Sequence, residues 1–281
     1  MNRLASIAKG LPALLSAWTL ITAAETRTLH IATHSGTPVR EICETLQREL
    51  GWQISYEEAP VFDRTTLEPR TAPSGRELLA LRRNPMSFDV ALPDVISNDN
   101  DRRAILKAVF DYYHASGNRA GFEYILGGER VQVFQNVAIG EDGRPGGFQP
   151  MLDTKVSIPQ SKYVLLALVN DIISQISQKR GIRISLGITP KSFIQDAVTE
   201  EANDEPARGV LARAFDEANI PRLMAGAVML RATWFLNFEP NGRFYFFNVV
   251  NVGVKSVDQL REPSREDPAP SPYFKKPNRA P

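Results

Sequence analysis

Two stretches that lie 130 residues apart share a pattern that predicts the fold. Glu44–Pro60 reads ETLQRELGWQISYEEAP, and Ser174–Pro190 reads SQISQKRGIRISLGITP. In each, a run that ends at a glycine, Gly51 or Gly181, is followed by alternating apolar residues. Glycine readily takes the left-handed conformation that ends a helix, and alternation is typical of a half-buried strand. Each stretch therefore predicts a helix followed by a strand.

Both predicted helices carry one apolar face, because their apolar residues recur at the helical spacing of three and four. Pro38 suits the first position of the first helix. The apolar faces consist of Val39, Ile42, Cys43, Leu46 and Leu50 in the first helix, and Leu165, Val169, Ile172, Ile173 and Ile176 in the second.

Two further segments recur in the same order along the chain. Arg103–Asp111 (RAILKAVFD) matches Arg208–Asp216 (RGVLARAFD), and both predict an amphipathic helix. Phe122–Phe134 (FEYILGGERVQVF) matches Phe235–Phe247 (FLNFEPNGRFYFF), and both predict a hairpin with a glycine-containing turn. The order of the matches predicts an internal repeat, with chance similarity as the alternative.

The fold class predicted from these segments is α+β, with two tandem small domains. Each domain is expected to hold a mixed β-sheet and two amphipathic helices in βαβ-βαββ order. The first module spans 27–140, with a mobile insertion near 62–84 that is rich in Arg, Pro and Thr. The Gly/Pro-rich segment 141–150 is the predicted linker, and the second module spans 151–254.

The two ends of the chain differ from the middle in composition. Residues 1–24 combine basic residues, a short apolar core and small residues before a cleavage point, which predicts a signal peptide, with an uncleaved anchor as the alternative. The tail 255–281 is rich in Pro and charge and is expected to be disordered. Export to the periplasm or secretion follows, with no membrane span after signal cleavage.

The composition excludes several classes of protein. The 281 residues are 43% hydrophobic and 23% charged, with a net charge of +1. These values argue against wholesale disorder and against a nucleic-acid partner. A single cysteine, Cys43, excludes an internal disulfide framework.

The repeated pattern resembles the short N-terminal domains of secretins and TonB-dependent receptors. The resemblance rests on Val39–Tyr56 with Ala104–Phe134, and on Leu165–Leu186 with Gly209–Phe247. It implies small non-catalytic modules of the bacterial envelope that contact other proteins. The chain departs from that family because nothing after residue 254 predicts a barrel.

Catalytic, cofactor and metal motifs are not found in the sequence. His30 and His34 are four residues apart but lack a third ligand, and Cys43 lies on the apolar face of a predicted helix. Asp94, with Asp99 and Asp101 nearby, is interpreted as belonging to a turn and helix cap. No catalytic residue, cofactor or metal ligand is predicted.

The second hairpin is the one feature that suggests a binding surface, because it is densely aromatic. Matching it to the first hairpin places Tyr245 and Phe247 on the open face of the sheet. Together with Trp234 they form a predicted partner-binding patch, since aromatic residues are enriched at interfaces. Packing of this face against the other domain or against Met224–Leu230 is the alternative.

These observations predict an exported, non-catalytic adaptor or scaffold protein of the bacterial cell envelope, with an envelope protein as its partner. A periplasmic hydrolase that uses carboxylates such as Asp63 or Asp94 is one alternative. A small-molecule or glycan-binding protein that uses the aromatic hairpin is the other.

Overall fold

The structure is a computed structural model that describes residues 27–61, 66–71, 73–190, 196–218 and 230–253. The fold is α+β, as the sequence predicts. The helices are α1 (Pro38–Leu50), α2 (Asp99–Ala115), α3 (Leu165–Arg180) and α4 (Ala207–Ala218). The strands are β1 (Arg27–Thr33), β2 (Gln53–Glu57), β3 (Leu67–Thr71), β4 (Glu77–Leu81), β5 (Met86–Leu92), β6 (Gly121–Gly127), β7 (Arg130–Ile139), β8 (Pro145–Gly147), β9 (Lys155–Val164), β10 (Ile184–Leu186), β11 (Ala197–Pro206), β12 (Leu230–Glu239) and β13 (Phe244–Gly253).

The glycines Gly51 and Gly181 end their helices as the sequence predicts. Gly51 ends α1 with φ of 68°, and its N–H donates to the Gln47 carbonyl at 3.0 Å. Gly181 ends α3 with φ of 64°. Both helices bury their apolar faces, because those faces pack against the strands that follow the glycines.

Strands pair in the same way in the two halves of the chain. In the first half, β2 runs parallel to β7, β6 runs antiparallel to β7, and β1 pairs with β5. In the second half, β10 runs parallel to β13, β12 runs antiparallel to β13, and β9 pairs with β11. Each half buries its own hydrophobic cluster between these strands and its two helices.

One sheet nevertheless runs through both halves, in the order β10-β13-β12-β2-β7-β6. The two halves meet where β2 lies parallel to β12, with Tyr56 opposite Phe235. The Glu58 N–H donates to the Leu236 carbonyl across this seam at 3.0 Å. The predicted linker 141–150 contributes β8, which pairs with β7, so the division into two domains stays a prediction.

The two pairs of helices cover opposite faces of this sheet. Opposite residues of paired strands share a face, and successive residues alternate between faces. Tyr56 and Phe235 both belong to the cluster that α1 and α2 cover. Leu236 belongs to the cluster that α3 and α4 cover, and Glu57 lies opposite it. The core face of one half therefore continues into the outer face of the other.

Two buried arginines cross the seam in opposite directions. Arg208 of α4 donates to Glu57 of β2 at 2.6 Å, and its guanidinium lies 4.2 Å from the centre of the Phe134 ring. Arg130 of β7 donates to Asp216 of α4 at 2.6 Å. Its guanidinium lies 4.9 Å from the centre of the Trp234 ring in β12. Each half thus supplies a cation that the other half pairs and covers.

The described part of the insertion 62–84 forms a hairpin of β3 and β4. The side chain of Asn241, in the turn between β12 and β13, donates to the Leu79 carbonyl and accepts from the Leu79 N–H. At the C-terminal end of β4, Leu81 packs so closely on Gly36 that a Cβ added to Gly36 would lie 2.3 Å from the Leu81 Cβ. These contacts hold the hairpin against both halves.

The predicted signal peptide 1–24 and the predicted tail 255–281 lie outside the described residues. Across the part of the chain that is described, no helix combines the length and apolar character that crossing a membrane requires.

We expect Arg208→Met to lower the free energy of unfolding by about 3–5 kcal/mol at neutral pH. The substitution leaves the Glu57 carboxyl, which is 1% exposed, without its cation. Burial already raises the pKa of that carboxyl, and Arg208 opposes the shift. Urea unfolding measures the loss.

Arg130→Met is the matched control for this experiment. Its partner Asp216 is 56% exposed, so water can solvate the carboxylate that remains. The control should therefore lose clearly less stability than Arg208→Met, and adding Glu57→Gln to Arg208→Met should restore part of the loss. Equal losses in the two single variants would show that carboxylate burial is not the cause.

Candidate functional site

The predicted partner-binding residues lie inside the protein. Trp234, Tyr245 and Phe247 are fully buried in the hydrophobic cluster of the second half. The Trp234 ring is flanked by Phe215 and Phe247, at 5.0 and 6.5 Å between ring centres. The prediction that Tyr245 and Phe247 lie on the open face of the sheet is wrong.

The error comes from the length of the two hairpin turns. In the first hairpin, Gly127 pairs with Arg130 across two turn residues. In the second, Glu239 pairs with Phe244 across four. The parallel pairings then make Tyr245, and not Phe244, the counterpart of Val131. A shift of one residue moves every side chain of a strand to the other face.

The other polar residues considered in the sequence do not assemble a reactive group. His30 contacts Asp89 on the exposed side of β1, at 2.7 Å. Cys43 is buried, and burial raises the pKa of its thiol. Within the described ranges, no three His, Cys, Asp or Glu side chains come together as a metal site. Asp94 is exposed, and Asp63 lies outside the described residues.

The described structure contains a pocket of about 540 Å³. It lies between the start of α1, the end of α2, the end of β2 and the loop between β4 and β5. Tyr56, Tyr113 and Phe122 form an aromatic wall, with 6.1 Å between the Tyr56 and Phe122 ring centres and 5.6 Å between those of Tyr113 and Phe122. Pockets of this size are typical of sites for small molecules or for a few side chains of a partner.

Three arginines line this pocket and are exposed: Arg82, Arg83 and Arg119. Their side chains make no ion pair with any described residue. Glu58 is the one acidic residue among the described lining residues, and it is buried. The pocket therefore offers guanidinium donors to an anion.

Hydrogen bonds connect the segments that carry these arginines. The Arg82 N–H donates to the Thr66 carbonyl at 2.7 Å, and the Asn84 N–H donates to the Ser35 carbonyl at 3.1 Å. Asn118 accepts from the Asn84 side chain at 2.7 Å and donates to the Tyr113 carbonyl at 2.9 Å. These bonds tie the loop that carries Arg82 and Arg83 to the turn that carries Arg119.

Glu58 forms the buried floor of the pocket and connects it to the seam. One carboxylate oxygen accepts the Phe238 N–H at 2.9 Å, and the other accepts from the Asn237 side chain at 3.3 Å. Burial raises the pKa of the Glu58 carboxyl, while the Phe238 N–H and the Arg40 guanidinium oppose the shift. Because both carboxylate oxygens of Glu58 accept hydrogen bonds from the protein, we assign this side chain a structural role.

The sequence carries two signals for this site. The segment 62–84 is arginine-rich, but nothing in it specifies that the Arg82–Arg83 pair meets Arg119. Strand alternation through Ile54 and Tyr56 places Glu58 on the same inner face. Continuing that alternation would have identified Glu58 as a buried carboxyl.

No protein-family model, curated protein or solved structure matches this chain. The resemblance to the short N-terminal domains of secretins and TonB-dependent receptors therefore stays a prediction.

We expect Tyr245→Phe to raise the free energy of unfolding by about 1 kcal/mol, because the buried Tyr245 hydroxyl has no hydrogen-bond partner among the described residues. The same substitution at Tyr112 is the control. The Tyr112 hydroxyl donates to the Ser87 carbonyl at 2.9 Å, so its loss should lower stability by about 1 kcal/mol. Thermal and urea unfolding measure both, and a destabilised Tyr245→Phe variant would contradict the burial described.

We expect Glu58→Gln to reduce the pH dependence of stability. A carboxyl whose pKa is raised by folding stabilises the protein below its unfolded pKa of about 4.3, and this contribution is lost as the pH rises through the folded pKa. The stability of Glu58→Gln relative to the unmodified chain should therefore be higher at pH 8 than at pH 5. Glu141→Gln, at an exposed position, should show no such difference. A pH-independent difference for Glu58→Gln would overturn this assignment.

Proposed function

We propose that this chain is an exported, non-catalytic interaction protein of the bacterial cell envelope that binds an acidic segment of a partner protein in the arginine-lined pocket. The observation that carries the proposal is the set of three arginines, Arg82, Arg83 and Arg119, that no described carboxylate neutralises. Arginine binds carboxylates through paired, charge-assisted hydrogen bonds.

The shape and polarity of the pocket support this proposal. Gly36 and Thr37, which precede α1, and its first residues Pro38 and Val39 line the pocket, and the N-terminal end of a helix favours negative charge. The aromatic wall beside the arginines can pack against the apolar part of an acidic side chain or its neighbours. Acidic side chains of a partner thus find both charge and apolar contact in one place.

Export is supported by residues 1–24, whose composition is typical of a signal peptide. The assignment to the envelope also rests on the sequence pattern that resembles the modules of secretins and TonB-dependent receptors. The hydrolase alternative lacks support in the pocket, because Glu58 is its one described carboxyl and both of its oxygens accept hydrogen bonds from the protein. General acid–base hydrolysis needs a second group in reach of the substrate.

A small anionic ligand is the second candidate, and the pocket volume of about 540 Å³ favours it. Such a ligand would use the same arginines, so the experiment must separate a protein segment from a free small anion.

The test uses a photocrosslinking amino acid at Ala120, a pocket position, in intact cells of the source, with the same group at Val95 as the control position. Val95 is exposed and does not line the pocket. We expect a protein adduct from Ala120 only, and its loss when Arg82, Arg83 and Arg119 are all changed to Ser. Arg48, Arg76 and Arg103, also exposed, form the control triple because their change to Ser alters net charge equally while the adduct should persist.

A binding measurement in vitro separates the two candidates. A fluorescent hexaglutamate peptide should bind the purified chain and the control triple, and should bind the pocket triple at least about tenfold more weakly. Thermal stabilisation by citrate or phosphate without binding of the peptide would favour the small-anion candidate. Absence of both, together with no Ala120-specific adduct, would overturn the proposal.

A further inference from the structure

The central sheet ends in two strands that have one unpaired edge each within the described structure. Strand β6 pairs with β7 on one side, and β10 pairs with β13 on one side. Open edges carry backbone N–H and C=O groups that can bind a further strand. The two ends of the sheet are therefore potential interaction surfaces.

The two edge strands correspond to the two strands that form the seam. Within each half, the pairing pattern gives β10 the place that β2 has, and β6 the place that β12 has. The register makes Leu186 the counterpart of Tyr56, and Tyr124 the counterpart of Leu236. The seam joins β2 to β12, so β10 of one copy and β6 of another are the matching pair of surfaces.

The backbone of β10 is oriented for this pairing at Leu186, whereas the Ile188 N–H donates to the Asn248 side chain at 2.9 Å and the Ile188 carbonyl accepts from the Val249 N–H at 2.8 Å. In β10, the Arg183 carbonyl accepts from the Tyr245 N–H, and the Gly187 N–H donates to the Phe247 carbonyl. The backbone N–H and C=O groups of the odd-numbered residues of β10 therefore face β13. The N–H and C=O groups of Leu186 consequently point away from β13, toward the open side. The counterpart Tyr56 faces β12 in the seam in the same way. The seam itself contains two strand residue pairs, and β10 has three residues.

The side chains at the edges also match. Across the seam, Asn237 lies beside Glu58, and the two side chains make a polar contact at 3.3 Å. Their counterparts at the open edges are Ile125 in β6 and Ile188, two residues after the end of β10. These isoleucines are 45% and 73% exposed and are among the few large apolar side chains that the described surface exposes. The polar pair inside the molecule is thus replaced by an apolar pair at its ends.

We infer that this chain assembles head to tail with further copies of itself, β6 of one copy lying parallel to β10 of the next and Ile125 packing on Ile188. Burial of the two isoleucines removes apolar surface from water. The net charge of +1 opposes association only weakly. Such a contact joins two different surfaces, so it continues into a ring or an open filament and does not stop at a symmetric dimer. The inference is independent of the function proposed for the pocket.

The experiment is sedimentation velocity of the purified chain over about 1–200 µM, with two edge variants. We expect the unmodified chain to form species that grow by one chain at a time. Ile125→Lys blocks the β6 edge and Ile188→Lys blocks the β10 edge, so each variant alone should associate at least about tenfold more weakly. Circular dichroism and the melting temperature verify that both variants fold.

A mixture of the two variants gives the decisive result. Each retains one intact edge of the opposite kind, so an equimolar mixture should form a dimer and nothing larger. Val95→Lys, at a side chain that is 71% exposed and lies in no strand, should assemble as the unmodified chain does. A monomeric unmodified chain at all concentrations would overturn the inference. Dimerisation of Ile188→Lys alone would also overturn it, because that result indicates pairing of β6 with itself.

Discussion

The parallel contact between β2 and β12 is the interaction on which the rest of the structure depends. It places Arg208 against Glu57 and Arg130 against Asp216, so that each half of the chain provides a cation for a carboxylate of the other. Burying a charge without its partner costs several kcal/mol. Glu57 and Arg130, both buried in the first half, have their charge partners in the second half, so the two halves are coupled even though each has its own hydrophobic cluster.

The same strand that forms the seam also forms the floor of the pocket. Glu57 and Glu58 are successive residues, so strand alternation directs their side chains to opposite faces. Glu57 meets Arg208 on the face covered by the second pair of helices, and Glu58 lines the pocket on the other. The hydrogen bonds of Glu58 to Asn237 and Phe238 tie the pocket to β12. The seam and the candidate site thus share Glu58 and its two hydrogen bonds.

The seam also determines which strands lie at the two edges of the central sheet. Because β12 is joined to β2, the corresponding strands β6 and β10 are left at the two edges of the sheet. If the two halves of the chain instead paired symmetrically, through equivalent strands, the two free edges would be equivalent to each other and would not be complementary. Assembly through these edges would present one arginine-lined pocket for every chain, at regular intervals along the assembly.

The amino-acid sequence by itself determined the local elements. The apolar spacing of Val39, Ile42 and Leu46 and the stop at Gly51 specify α1 through interactions within one segment, and the same holds for α3 and Gly181. The α+β class follows from such local patterns. Cys43 could be assigned to the core for the same reason, because its position on the apolar face is a property of the helix alone.

The tertiary structure alone decided the faces, the seam and the site. The burial of Tyr245 and Phe247 depends on strand register, which a turn longer by two residues shifted relative to the sequence match. The pairing of β2 with β12 and the meeting of Arg82, Arg83 and Arg119 join residues far apart in the chain. Local periodicity reports which side of an element is apolar, but not which distant element covers it. The physical reason is that contacts between distant segments depend on how all elements pack together.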